Sequence, residues 1–305
     1  MRILVAIDGS AEAAAGLEWV AGLPLSGADD VLLLTVLKPE DAPGRARRVH
    51  ERHLELLLRD VWATRRDEAR RLLADASAAG AMWSARTRQV IREGHPVAEI
   101  DAAARELGAD LVVAGPRGRG AVPGLLLGSV TGSLLGVLDR PLVVARRPVA
   151  LPDPILVAID GSPAADAAMA RIASYAWTAR AVITVLVVAA GRPGRSLAGA
   201  LGRSVADQDR QDAGRIAAEA AERLAATGRA ATPLVVEGDG ARRIVETGAR
   251  LGAGLLVLGT RGGGGFPGML VGSVAQRVVA TARRTVMVVP PDASSQGGGA
   301  PGLVT

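Results

Sequence analysis

The chain has 305 residues, 49% hydrophobic and 22% charged, which suits two globular domains that each bury a core and excludes a disordered chain. The absence of cysteine removes a disulfide framework, a thiolate metal site and a cysteine nucleophile, and fits a reducing cytoplasm. Thirty-six basic against thirty-one acidic residues leave a net +5, but the basic charge is nearly all Arg, whose high pKa lifts the isoelectric point to 10.8.

That charge does not mark a nucleic-acid surface. Arginines alternate with acids, as in Arg65-Arg66-Asp67-Glu68-Ala69-Arg70-Arg71, and only 2% of residues are aromatic, leaving few platforms for bases. The first strand-like run starts at Arg2, with no room before it for a signal peptide. The longest uncharged stretch, Gly120 to Leu138, is broken by Pro123, glycines and hydroxyls. It reads as a loop and half a helix, so the expectation is a soluble, cytoplasmic protein with no membrane or nucleic-acid partner.

In chain order, the octapeptide Ile3-Leu4-Val5-Ala6-Ile7-Asp8-Gly9-Ser10 returns letter for letter as Ile155-Leu156-Val157-Ala158-Ile159-Asp160-Gly161-Ser162. One module is thus written twice. Apolar β-branched runs predict strands over Ile3–Ile7, Val31–Leu37, about Ser84–Ile91, Leu111–Ala114 and Leu142–Ala145. The second copy predicts them over Ile155–Ile159, Ile183–Val188, about Ala231–Val236, Leu255–Leu258 and Val286–Val289. Between them lie amphipathic stretches, notably Arg52 to Ala79, Ala98–Leu107 and Ala241–Leu251. This alternation predicts α/β domains with parallel sheets. Copy two is eight residues shorter between its second and third strands, where length changes are tolerated. The boundaries follow as domains at 1–147 and 155–291, a proline-marked linker at 148–154, and a disordered Gly/Ser-rich tail at 292–305.

The chemistry is expected at the carboxyl ends of the strands, where open parallel sheets bind ligands. Asp8 and Asp160 close the first strands. Val36 and Val188 end the second strands and offer an apolar edge for a base. After the fourth strands come Gly115-Pro116-Arg117-Gly118, nine residues, then Gly128-Ser129, matched by Gly259-Thr260-Arg261-Gly262, nine residues, then Gly272-Ser273. Glycines let backbone amides approach an anion, and Ser129 and Ser273 are expected to cap helices Val130–Leu138 and Val274–Ala282, whose dipoles add positive charge. An isolated glycine turn would carry little, but the full spacing occurs twice, each time with its Asp.

On these residues the chain resembles the universal stress protein family, in its ATP-binding branch with G-x2-G-x9-G-[ST]. The resemblance implies two tandem five-stranded parallel-sheet domains of the adenine nucleotide alpha hydrolase-like, Rossmann-like type. It implies ATP in both domains, with adenine near the second strand, ribose near the first-strand Asp and phosphates on the glycine amides. Residue by residue, that assigns Ala6, Asp8, Val36, Gly115, Gly118, Gly128, Ser129 and Val130 in copy one. In copy two it assigns Ala158, Asp160, Val188, Gly259, Gly262, Gly272, Ser273 and Val274. Magnesium would ride on the phosphates. Pro116 departs from the pattern by removing one amide N–H.

Other readings fit less well. A P-loop needs a lysine at the loop, and the single Lys38 lies in Leu37-Lys38-Pro39. A dinucleotide fingerprint would follow the first strand, not the fourth. A G-x-S-x-G elbow is absent. His50 and His53 lack a nearby third ligand, and His95 has no counterpart in copy two. The expectation is a nucleotide-dependent sensor or regulator rather than an enzyme, with a slow ATPase or nucleotidyl transferase on the same fold as the alternative. Arg117 and Arg261 could supply charge, but no general base beyond the Asp stands out. The apolar last strands, Leu142–Ala145 and Val286–Val289, are expected to pack the copies together as an internal pseudo-dimer; a homodimer of the whole chain stays open.

Overall fold

A computed structural model of the chain describes residues 1–38, 51–79, 83–118, 127–146, 154–189, 200–262 and 271–291, with backbone alone for 51–58, 79 and 200–206. The linker up to residue 153, the tail at 292–305, the side chains of His50 and His53, and Gly263 to Gly265 lie outside the described residues.

The first half runs β1 (Arg2–Ala6), α1 (Ala11–Ala21), β2 (Asp30–Leu37), α2 (Glu51–Ala79), β3 (Arg86–Glu93), α3 (Pro96–Leu107), β4 (Leu111–Ala114), α4 (Ser129–Val137) and β5 (Leu142–Val144). The second repeats it as β6 (Ile155–Ile159), α5 (Pro163–Ser174), a 3-10 turn (Ala176–Thr178), β7 (Ile183–Ala189), α6 (Ala200–Ala225), β8 (Ala231–Glu237), α7 (Gly240–Arg250), β9 (Leu255–Gly259), α8 (Ser273–Thr281) and β10 (Thr285–Val289). Within each half the strands are parallel and ordered 3-2-1-4-5. The α/β reading therefore holds in both copies. Most strand ends fall within a residue of expectation, but β3 lies two residues later than Ser84–Ile91. It is an edge strand whose side chains are all exposed or half-exposed, so hydrophobicity does not mark its ends; pairing with β2, from Asp30↔Arg86 to Leu37↔Glu93, sets them.

β5 and β10 pair antiparallel, Val144 opposite Val286 and Leu142 opposite Val288, and so fuse the halves into one ten-stranded sheet. The octapeptide's alternation explains how each strand serves two layers. Ile3 and Val5 face one core with α1, α2, α5 and α6, whereas Leu4 faces the other with α3, α4, α7 and α8. Both cores run through the joint: Val143 and Met287 belong to the first, Val144 and Val288 to the second, and all four are at most 1% exposed.

Side chains also bridge the halves. Trp19 of α1 meets Trp177 edge-on at 6.1 Å between ring centres, and Tyr175 stacks on Trp177 at 5.4 Å. The Tyr175 hydroxyl donates to the Asp110 carbonyl at 3.2 Å; burial pushes its phenol pKa up. Arg146, just past β5, donates to the carbonyls of Val279 and Ala280 at the end of α8, where a cation complements the helix dipole.

Candidate functional site

In each half, β1 and β4 (or β6 and β9) are neighbours from which the chain leaves in opposite directions, the switch point at which open parallel sheets form a cleft. The Asp-Gly-Ser triplet sits at its floor. Gly9 and Gly161 adopt φ values of 78° and 75°, a left-handed turn that favours glycine. The turn brings Ser10 back onto Asp8 Oδ1, with N at 3.0 Å and Oγ at 2.6 Å, and Ser10 Oγ accepts from Ala13 N at 3.2 Å to start α1. Copy two repeats the backbone part, with Ser162 N 3.1 Å from Asp160 Oδ1 and Ala165 N 3.2 Å from Ser162 Oγ, but the Ser162 hydroxyl donates to the Arg261 carbonyl at 3.2 Å. Each Asp thus spends one oxygen on the turn.

The other oxygen explains a glycine. A β-carbon at Gly118 or Gly262 would collide with Oδ2 of Asp8 or Asp160. A β-carbon at Gly115 would stand 2.8 Å from the Glu12 backbone, and one at Gly259 at 2.8 Å from the Ala164 carbonyl carbon, so both let a helix pack on the strand end. Gly128 N donates to the Pro116 carbonyl at 2.7 Å, and Gly272 N to the Thr260 carbonyl at 2.7 Å. Each long loop therefore closes on itself at its base. The glycines are required first by the close packing that shapes the cradle.

Two expectations need correction. Ser129 and Ser273 are not N-caps: Gly128 and Gly272 hold those positions, with no side-chain capping bond, and each Ser is the first helical residue. The extended φ of −73° and −70° at these glycines brings the chain straight into the helix one residue earlier than expected. The Ser amides remain among the four at a helix start without an intrahelical acceptor, so the anion-facing role expected of the helix ends would rest on amides rather than on a cap. The second concerns Pro116. Its counterpart Thr260 donates its N–H to the Val289 carbonyl at 2.8 Å, not toward the cleft. Pro116 therefore forgoes a sheet bond, not a phosphate donor.

In copy two, Ala158, Asp160, Val188, Gly259, Gly262, Gly272, Ser273 and Val274 all line a single cleft of about 520 Å³, a size typical of small-ligand sites. Ala6, Asp8, Val36, Gly115, Gly118, Gly128, Ser129 and Val130 hold the matching places on β1, β2, the β4 loop and α4. Arg261, named above for its charge, also lines the cleft, as do Leu186, Gly240 and Ile244, which the sequence reading does not single out. Gly240 and Ile244 come from α7, and the signal for them was the turn Gly238-Asp239-Gly240 opening a helix with buried Ile244. At this rim Asp239 caps α7 through Arg242 N at 2.9 Å and takes a bidentate pair from Arg277 of α8 at 2.8 and 2.9 Å. The Arg277 hydrogen bonds hold the Asp239 carboxyl below the usual range. His95, in the same place in copy one, makes no side-chain cap. Among the described residues no group of three or more His, Asp or Glu side chains could hold a metal ion, and no helix is long and apolar enough to cross a membrane.

Comparisons with known proteins agree with this architecture. A universal stress protein of Mycolicibacterium smegmatis is 31% identical over 92% of this chain and 94% of its own. One from Mycobacterium tuberculosis is 32% identical over 73% of this chain and 76% of its own. The crystal structure of a universal stress protein from Archaeoglobus fulgidus superposes with a TM-score of 0.64 over 96% of this chain and 97% of that one, at 19% identity, a likeness of fold. Residues 1–146 and 152–290 each match the universal stress protein family. With both copies matched, the chain belongs to the universal stress protein family as a tandem member.

Proposed function

We propose that the chain is an ATP-binding sensor or regulator of a cytoplasmic stress response, with one nucleotide site in each half. The observation that carries this reading is the convergence in one cleft of all eight copy-two residues that the motif selects. Val188, Leu186 and Ile244 supply an apolar wall suited to a base, and Asp160 lies at the floor beside the glycine loop. The first amides of α8 and the loop backbone supply donors and positive potential for phosphates. Magnesium, if carried, rides on the phosphates, since the described residues offer no carboxylate cluster for it.

Turnover is expected to be negligible. Each first-strand Asp is engaged in its turn and lies against the loop glycine, and among the described residues no second carboxylate or histidine lines the copy-two cleft as a general base. About two ATP per chain at micromolar strength, roughly −8 kcal/mol each, is the expected stoichiometry and affinity. The test is to denature freshly purified protein, identify the nucleotide released, and titrate the stripped chain by calorimetry. Absence of ATP binding, or equal binding of any anion, overturns the reading; steady turnover near 10 per second would make the chain an enzyme.

A further inference from the structure

The two glycine loops carry an arginine at the same place, yet its surroundings differ. Arg117 Nη2 lies 2.9 Å from Glu12 Oε1, an ion pair with the first turn of α1. The residue matching Glu12 on α5 is Ala164, buried against Gly259. Arg261 lines the copy-two cleft, and among the described residues no carboxylate pairs with it. Arg119, within the first loop, lies outside the described residues; among these, Arg146 near that loop is turned to the α8 carbonyls. Burial, and then the charge of Arg117, lower its pKa. Its counterpart in copy two is Pro290. Among the described residues, Arg117 and Arg146 are thus held on protein acceptors, whereas Arg261 pairs with no carboxylate.

We propose that Arg261 reads phosphate charge, so that the second site selects the triphosphate over the monophosphate, while Glu12 withholds Arg117 from that role in the first. This rests on the nucleotide-binding reading above. A guanidinium meets phosphate oxygens with two parallel N–H donors, and that fork gains with each phosphate within reach. Arg117 must first leave Glu12, exchanging one charged acceptor for another with little net gain. The difference is therefore set outside the glycine motif, by the presence or absence of one carboxylate on the neighbouring helix, Glu12 against Ala164.

The test is calorimetry on the full chain with ATP and with AMP, for the wild type and for Arg261→Gln, Arg117→Gln and Glu12→Gln. Arg261→Gln is expected to weaken ATP about tenfold at one of the two sites and to leave AMP unchanged. Arg117→Gln should change neither ligand by more than about twofold, and Glu12→Gln should raise ATP affinity at the other site. Near-ultraviolet circular dichroism of the Trp19–Trp177 cluster verifies that each variant is folded. A wild type that binds neither nucleotide overturns the nucleotide reading and this inference together. A wild type that binds both, with an ATP-to-AMP ratio unmoved by Arg261→Gln or moved equally by Arg117→Gln, overturns the inference alone.

Discussion

The two halves of the sheet are built from the same letters where backbone geometry decides and from different letters where side chains choose partners. Asp8-Gly9-Ser10 and Asp160-Gly161-Ser162 make the same left-handed turn and the same helix start. One layer out the correspondence fails. Glu12 becomes Ala164, Pro116 becomes Thr260, His95 becomes Asp239 and Thr131, which donates to the Gly115 carbonyl at 2.7 Å, becomes Ala275. The cradle is thus held in common, while the charges and bonds that surround it are each half's own.

The sharpest way to break this comparison is at the joint, where the halves cease to be independent. Charge substitution at Val144 or Val288 looks from sequence like a way to separate two domains. In the structure both side chains point into the core that runs under α4 and α8, and the strands meet through backbone bonds. Val144→Glu should therefore cost about 3–5 kcal/mol, the scale of an uncompensated buried charge, and destabilise both halves together. Urea unfolding followed by far-ultraviolet circular dichroism should remain a single transition at lower midpoint. Two resolved transitions would show that the halves fold as separate units despite the continuous sheet.

Next in size are the first-strand aspartates. Asp8→Ala removes the acceptor for Ser10 N and Oγ, and Asp160→Ala the acceptor for Ser162 N. Each should lose about 2 kcal/mol of stability without ligand, as well as nucleotide at its own site. Variants that lose binding with no change in urea midpoint would show that the turn holds without its carboxylate. Asp→Asn separates the two roles, since an amide oxygen can accept the turn bonds without the charge.

Much of this was legible in the residues, and the reason is period. Alternation in Ile3-Leu4-Val5 and its repeat marks strands that face two cores, and the paired glycine spacing marks where the parallel strands end. What sequence did not carry was the direction of individual groups. Gly118 reads as an anion-facing amide, but its missing β-carbon makes room for Asp8. Ser129 reads as a cap because Ser commonly is one, yet Gly128 takes the position. Ile244 and Gly240 join the cleft through the packing of α7 beside α8; the turn before α7 marks a helix start, but not which cleft that helix borders.

A smaller effect tests the proline. Pro116→Thr supplies the N–H that Thr260 uses toward Val289, with Ala145 as the matching carbonyl residue. The variant should gain about 1 kcal/mol of stability and leave nucleotide affinity at both sites unchanged. A change in affinity without a change in stability would return Pro116 to the phosphate site.

The smallest expected effect separates the halves by acid. Asp239 is held below the usual carboxylate range by its hydrogen bonds from Arg277 and from Arg242 N. A carboxylate whose folded pKa is depressed contributes stability that is complete above its unfolded value, near pH 4, and is lost as pH falls through the lower folded value. Acidification below about pH 4 should therefore loosen the junction of α7 with α8 at this rim. No carboxylate fills that place in the first half, where His95 stands before α3. The Arg242 amide, bonded to Asp239 Oδ1 at 2.9 Å, is the reporter. Its NMR shift should titrate below pH 4, and Asp239→Asn should abolish that titration while the Glu99 amide at the start of α3 stays unmoved by the substitution. An Arg242 amide that titrates identically in wild type and Asp239→Asn would mean that the rim of the second cleft is not held by this pair.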